Sequence, residues 1–178
     1  MDLAASFEEL QQRAHEQLLR ANLTVSVAES CTGGLLGAAL TDLSGSSAYF
    51  LGGVLAYADS AKILLLRVNP AIIAQHGAVS APVALAMARG VVEVTGSHIG
   101  ISITGIAGPT GATSEKPVGT TYVGFVAPDA ERVEHFLWRG DRAQNRAQSV
   151  EAAYRLLVEY LHWWLGRWSG RPPGSGRG

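Results

Sequence analysis

The chain has 178 residues, of which 47% are apolar and 16% charged, and its formal net charge is −1. That balance suits one domain with a sizeable core, and it excludes an intrinsically disordered chain and a surface drawn as a whole to nucleic acid or an anionic membrane. The single cysteine excludes an internal disulfide and argues against a cysteine-based metal site.

No apolar run approaches the length of a bilayer span, and the acidic start MDLAASFEEL lacks the basic-then-apolar pattern of a signal peptide, so a soluble cytoplasmic protein is expected. Residues 5–20 read as an amphipathic helix, with Phe7, Leu10, Ala14, Leu18 and Leu19 at helical spacing. LTVSVA (23–28) alternates like a strand, and Gly33 to Leu43 reads as a helix that is apolar on most sides. SGSS (44–47) is a loop, and AYFLGGVLAY (48–57) reads as a buried strand whose Gly52-Gly53 pair signals a bulge or a close backbone approach. ADSAKILLL opens a helix with Asp59 or Ser60 as N-cap. VNPAIIAQHGAVS holds a short helix and a loop, and a helix then runs from Ser80 or Ala81 to about Thr95.

HIGISIT (98–104) is the clearest strand, with Ile99, Ile101 and Ile103 alternating with Gly100, Ser102 and Thr104. The long loop GIAGPTGATSEKPVG follows; loops of that length inside compact domains are usually functional or disordered. GTTYVGFVA (119–127) and ERVEHFLW (131–138) form a hairpin joined by Pro128-Asp129-Ala130, and Gly140-Asp141 introduces a last helix with the stripe Ala147, Val150, Tyr154, Leu157, Leu161 and Trp164. Early alternation of helices and strands with a late antiparallel pair predicts an α/β fold, a three-layer α/β/α sandwich on a mixed sheet, in one domain over 1–168. The tail 169–178, SGRPPGSGRG, is expected to be disordered.

Four stretches could carry chemistry. In VAESCTGGLLG, Ser30 falls just past a strand, and Gly33 and Gly34 open a helix whose first N–H groups could hold an anion or an oxyanion; equally, Ser30 or Thr32 could simply cap that helix. Cys31 sits at the same junction, where a buried, inert thiol competes with a nucleophile. In YADSAK, Lys62 stands in the first turn of a helix, where the dipole and burial both lower its pKa and fit it to accept a proton from a serine; a solvated surface lysine is the plain alternative. Twelve of the fourteen basic residues are Arg, which cannot act as a base near neutrality, so the only two lysines, Lys62 and Lys116, stand out.

The loop after Thr104 carries glycines 105, 108 and 111, but it precedes a strand rather than a helix and lacks the G-x-x-x-x-G-K-[ST] pattern, so it is neither a P-loop nor a dinucleotide fingerprint. In GDRAQNR, Arg142 and Arg146 share a helix face and could bind a carboxylate or phosphate, or make a structural ion pair. The five histidines form no metal-ligand spacing, and the Trp163-Trp164-Trp168 cluster reads as core or dimer contact.

AESCTGG, AYADSAK, SITGIAGPTGATSEKPVG and GDRAQNR, in that order over residues 5–166, together resemble the stand-alone C-terminal domain of the CinA (competence/damage-inducible) family. The resemblance implies an α/β/α fold, a homodimer, and hydrolysis of the carboxamide of nicotinamide mononucleotide (NMN) to nicotinate mononucleotide and ammonia. No metal or redox cofactor, nucleic acid or membrane is implied. The family's motif serine, lysine and tyrosine match Ser30, Lys62 and Tyr57; its Ser/Thr after the central strand matches Thr104, and its late arginine matches Arg142. The implied substrate contacts are Cys31, Thr32, Gly33, Gly34, Gly105, Gly108, Lys116, Arg142 and Arg146. The usual Tyr-Ser-Asn-x-x-Lys reads Tyr57-Ala58-Asp59-Ser60-Ala61-Lys62 here, losing the Ser and the Asn. Two further classes fit the same residues: a non-catalytic nucleotide-binding module, and a partner protein in competence or the response to DNA damage.

Overall fold

The computed structural model describes residues 6–168. The expected disorder of 169–178 and the side chain of Trp168 lie outside the described residues. In chain order the elements are α1 (Phe7–Ala21), β1 (Val25–Glu29), α2 (Leu35–Thr41), a 3-10 turn (Ser46–Ala48), β2 (Phe50–Leu55), α3 (Asp59–Leu66), α4 (Pro70–His76), α5 (Ala81–Thr95), β3 (Ile99–Gly105), β4 (Thr120–Ala127), β5 (Ala130–Leu137) and α6 (Arg142–Trp168).

The strands form one mixed sheet in the order β2-β1-β3-β4-β5. β1 pairs in parallel with β2 and β3, whereas β4 runs antiparallel to β3 and to β5. Helices α1, α2 and α6 cover one face, and α3, α4 and α5 the other. The connection after β1 crosses one face to β2, and the return to β3 crosses the other. The crevice at the carboxyl ends of the strands flanking this reversal is where open α/β sheets bind ligands.

The alternation in β3 has a different meaning from the half-buried strand it resembles. All but the last of its residues are buried. Ile99, Ile101 and Ile103 enter the larger apolar core against α1, α2 and α6. Gly100 and Ser102 face α5: a side chain at Gly100 would overlap the Ala88 carbonyl, and the Ser102 hydroxyl donates to the Ala84 carbonyl at 2.6 Å. Small residues let the helix lie flush on the sheet.

Several expectations need correction. β2 is an edge strand rather than a buried one. Among the described residues it pairs only with β1, and Leu51 and Leu55 are exposed. Its glycines behave as the pattern suggested. The register shift against Val25 and Ser26 leaves Leu51 in a bulge before Gly52, and a side chain at Gly53 would collide with Val27.

α2 starts at Leu35, with Gly34 as its cap at φ 99°. α3 is capped by Ala58, whose side chain has no acceptor; Asp59 is the first helical residue instead of the cap, and its carboxylate lies 3.6 Å from Lys62 Nζ. The hairpin turn is two residues, Pro128-Asp129, with Ala127 paired to Ala130. Leu19 and Ala147 are exposed, although the rest of their stripes pack inward, Phe7 and Trp164 at the margin of the core. Trp164 contacts the Tyr160 ring, and exposed Trp163 lies under the Arg167 guanidinium.

One buried carboxylate fixes the start of α2. Glu29, the last residue of β1, is 1% exposed. Its side chain accepts from the N–H groups of Gly34 (3.0 Å), Leu36 (3.1 Å) and Gly37 (2.8 Å). Helix-start N–H groups have no partner in the helix and carry the positive end of its dipole, so a carboxylate satisfies both needs. It also ties the turn that carries Ser30 to the strand before it. Glu29→Gln loses the charge and turns an NH2 toward donors. The expected result is a loss of about 2–4 kcal/mol in denaturant unfolding. An unchanged midpoint would show that the carboxylate does not hold the helix.

Candidate active site

Three strand ends converge on one cavity. β1 delivers Ser30, the segment after β2 delivers Ala56 and Tyr57, and β3 delivers Thr104 and Gly105. The cavity, of about 310 Å³, is lined by Ser30, Cys31, Tyr57, Asp59, Lys62, Thr104, the loop around Gly108, and Arg142 from the start of α6. Thr32, Gly33, Gly34, Lys116 and Arg146 lie outside its lining.

The centre of the site is a buried lysine. Lys62 is 1% exposed, on the first turn of α3. Its Nζ lies 3.0 Å from the Ala56 carbonyl, 3.1 Å from the Tyr57 carbonyl and 3.3 Å from Ser30 Oγ. Burial holds its pKa below the ordinary lysine value, opposed by the Asp59 carboxylate at 3.6 Å. A neutral amine has two N–H groups and one lone pair. Two carbonyls take the two N–H groups, so the lone pair is left for the Ser30 hydroxyl. In the ammonium form all three contacts accept a proton donor. The same pocket thus holds both protonation states without rearrangement.

Ser30 is 8% exposed, and its N–H is tied to the Ile103 carbonyl at 3.0 Å. The neighbouring Cys31 thiol also lines the cavity. Burial pushes Cys31 up to about 11, against the opposing pull of Arg146 and Arg142, and a protonated thiol attacks poorly.

The helix start is not a free anion site. Glu29 occupies the N–H groups of Gly34, Leu36 and Gly37, and the Gly33 N–H donates to the Ser30 carbonyl at 3.2 Å. Thr32 is fully buried, and its carbonyl accepts from Arg146 at 2.6 Å. Arg146 therefore braces the Ser30 turn from behind. Lys116 donates to the His76 carbonyl at 2.6 Å and pins the glycine loop to the end of α4.

The Tyr57 phenol is exposed at the rim. It reaches Lys62 through its main-chain carbonyl, while its hydroxyl accepts from Arg142 at 3.4 Å. The Thr104 hydroxyl donates to the Ala78 carbonyl at 2.9 Å and anchors the turn before α5.

The glycine loop is held by its carbonyls. Arg142 donates to the Gly108 carbonyl at 2.8 Å, buried Asn145 donates to the Ala107 carbonyl at 3.1 Å, and the Ile106 carbonyl accepts from Gly119 at 2.7 Å. In a trans peptide the N–H points opposite to the carbonyl. The N–H groups of Ala107 and Gly108 are therefore turned away from those partners.

Sequence reasoning missed Glu29, Asn145 and the Ala56 carbonyl. Glu29 and Asn145 were inside quoted motifs, as a carboxylate before a helix and an amide on the Arg142 helix. Nothing in the sequence could single out a main-chain carbonyl. Among the described residues no group of three or more His, Cys, Asp or Glu could hold a metal ion, and no helix is long and apolar enough to cross a membrane.

A family model described as the CinA C-terminal domain matches residues 7–161. A CinA-like protein of Chlorobaculum tepidum is 56% identical over 149 residues, which are 81% of this chain and 35% of the relative. A putative competence-damage inducible protein of Halothermothrix orenii is 49% identical over 145 residues, 81% of this chain and 35% of the relative. The chain thus spans about a third of the length of the curated relatives it matches.

The crystal structure of a CinA superfamily protein from Klebsiella pneumoniae matches with TM-score 0.86 at 32% identity, over 90% of this chain and all of that one. The competence/damage inducible protein CihA from Agrobacterium tumefaciens matches with TM-score 0.85 at 35% identity, over 91% and 99% of the two chains. Matched in sequence over 7–161 and in the layout of its sheet and helices, this chain belongs to the CinA C-terminal domain family.

Proposed function

We propose that this domain is a serine amidohydrolase that cleaves the carboxamide of nicotinamide mononucleotide, with Ser30 as nucleophile and Lys62 as base. The observation that carries the reading is the Lys62 Nζ–Ser30 Oγ contact of 3.3 Å, with two carbonyls satisfying the rest of the amine. Lys62 takes the Ser30 proton as Oγ attacks the carboxamide carbon. Negative charge then collects on the former carbonyl oxygen. With the α2 N–H groups engaged by Glu29, the N–H groups of Ala107 and Gly108 are the donors assigned to it. The C–N bond breaks as the Lys62 ammonium gives its proton to the leaving nitrogen, releasing ammonia and a Ser30 ester. Water attacks the ester with Lys62 again as base, freeing the acid and restoring Ser30.

Among the described residues the acceptors of Arg142 are uncharged, the Gly108 carbonyl and the Tyr57 hydroxyl, so its charge is assigned to the substrate phosphate.

Ser30→Ala removes the nucleophile, and ammonia release should fall by about three orders of magnitude or more with the mononucleotide still bound. A Ser30→Ala protein that keeps half of its activity would overturn the covalent route. Binding without any ammonia release by the unaltered protein would instead favour a non-catalytic nucleotide-binding module.

Lys62→Arg separates charge from basicity. A guanidinium stays protonated at any working pH. The expected outcome is activity as low as in Lys62→Ala, read by initial rates; an active arginine variant would remove Lys62 as base.

The pH dependence follows from the same group. The competent form is the neutral amine, so activity rises with pH as Lys62 loses its proton. Its midpoint should lie below the ordinary lysine value of 10.5, because burial favours the uncharged form. A rising limb with its midpoint at or above the ordinary lysine value, or a rate that does not rise with pH anywhere in the range where the chain is folded, would contradict it.

A further inference from the structure

The cavity wall carries charges of both signs, and one of them has no part in the reaction just described. Asp59 is the only carboxylate in the lining, opposite the positive charges of Lys62 and Arg142. It is the first residue of α3, its side chain is 56% exposed, and Oδ1 lies 3.6 Å from Lys62 Nζ. Lys62 Nζ contacts Ser30 Oγ and the Ala56 and Tyr57 carbonyls just past β2, and the lining shared with Asp59 adds Cys31 from the turn after β1, Thr104 from β3, Thr110 from the glycine loop and Arg142 from α6. None of the others is a carboxylate.

When Lys62 is an ammonium, Asp59 is its counter-ion. When Lys62 is the neutral base, that half-exposed carboxylate on the cavity wall has lost its counter-ion. A fixed cation on the substrate would take the place of the ammonium. It would also favour the neutral amine, since like charges disfavour one another. An anionic group of the substrate belongs beside Arg142.

Building on the amidase reading above, we propose that Asp59 is a specificity-determining residue. Its carboxylate is the counter-ion of a permanently cationic, N-alkylated pyridinium ring, and it selects that ring over its uncharged dihydro form. The alternative role, stabilising the start of α3 through the helix dipole, makes no distinction between the two rings.

The test is a binding measurement on a protein that cannot turn over. Oxidised nicotinamide mononucleotide and its reduced 1,4-dihydro form carry the same carboxamide, ribose and phosphate, and differ in ring charge. Calorimetric titration of Ser30→Ala should show the oxidised form binding more tightly, by on the order of tenfold for a half-exposed carboxylate close to a cation. Ser30→Ala/Asp59→Asn should bring the ratio of dissociation constants to about one, and Ser30→Ala/Asp59→Glu should retain the preference. In the otherwise unaltered enzyme, Asp59→Asn should also move the rising limb of the pH–rate profile to lower pH, because the carboxylate no longer favours the ammonium. A preference unchanged by Asp59→Asn, or no preference at the outset, overturns the proposal.

Ammonia release is scored separately. A chain that shows the Asp59-dependent preference but releases no ammonia overturns the amidase reading alone. A chain that releases ammonia while the asparagine variant keeps the full preference overturns the Asp59 role alone. Failure of both forms to bind overturns the Asp59 role, and with no ammonia release by the unaltered chain it overturns the amidase reading as well.

Discussion

The site depends on one amine kept out of water. A lysine nitrogen buried at a helix start, with the positive end of the dipole beside it, is costly as an ammonium and useful as a base. The fold supplies the two carbonyls that make it tolerable, from Ala56 and Tyr57 just past the edge strand. It also supplies the hydroxyl, from the turn after β1. Two parallel neighbouring strands therefore have to end at the same level for the contact to exist. The parallel register of β1 with β2, from Ser26 against Gly52 to Glu29 against Leu55, sets that level.

The rest of the molecule holds that geometry from behind. Glu29 anchors the helix that follows Ser30, and Arg146 holds the Thr32 carbonyl in the same turn. From the other side of the cavity, Arg142 and Asn145 on α6 grip the glycine loop by its carbonyls. Lys116 fastens the far end of that loop to α4. Many of the polar residues in the four motif stretches are thus braces. A residue that looks like a ligand contact in sequence can act one layer back, where a backbone carbonyl is its partner.

The sequence was informative where a pattern reports a local rule. Helical stripes, the alternating β3, the Gly52-Gly53 bulge and the layered α/β arrangement all follow from periodicity and turn chemistry, and they are present. It was less informative where the outcome depends on a distant partner. The apolar β2 reads like a core strand, yet it is at the edge because the chain reverses direction across β1. The glycine-opened helix reads like an anion cradle, yet its own chain fills that cradle with Glu29. Asp59 reads like an N-cap, but its partner is Lys62, one turn on. Each case turns on a choice between two local options that only tertiary packing makes.

The central claim is a covalent ester on Ser30, and it is open to direct observation. Excess enzyme is mixed with nicotinamide mononucleotide, quenched in acid within milliseconds, and digested for peptide mass spectrometry. The peptide carrying Ser30 is expected to gain the mass of the acyl group, with the modification on the Ser30 hydroxyl, and to lose it as the acid product forms. Ammonia release with the Ser30 peptide unmodified at every time, or with the acyl group on Cys31, would contradict it.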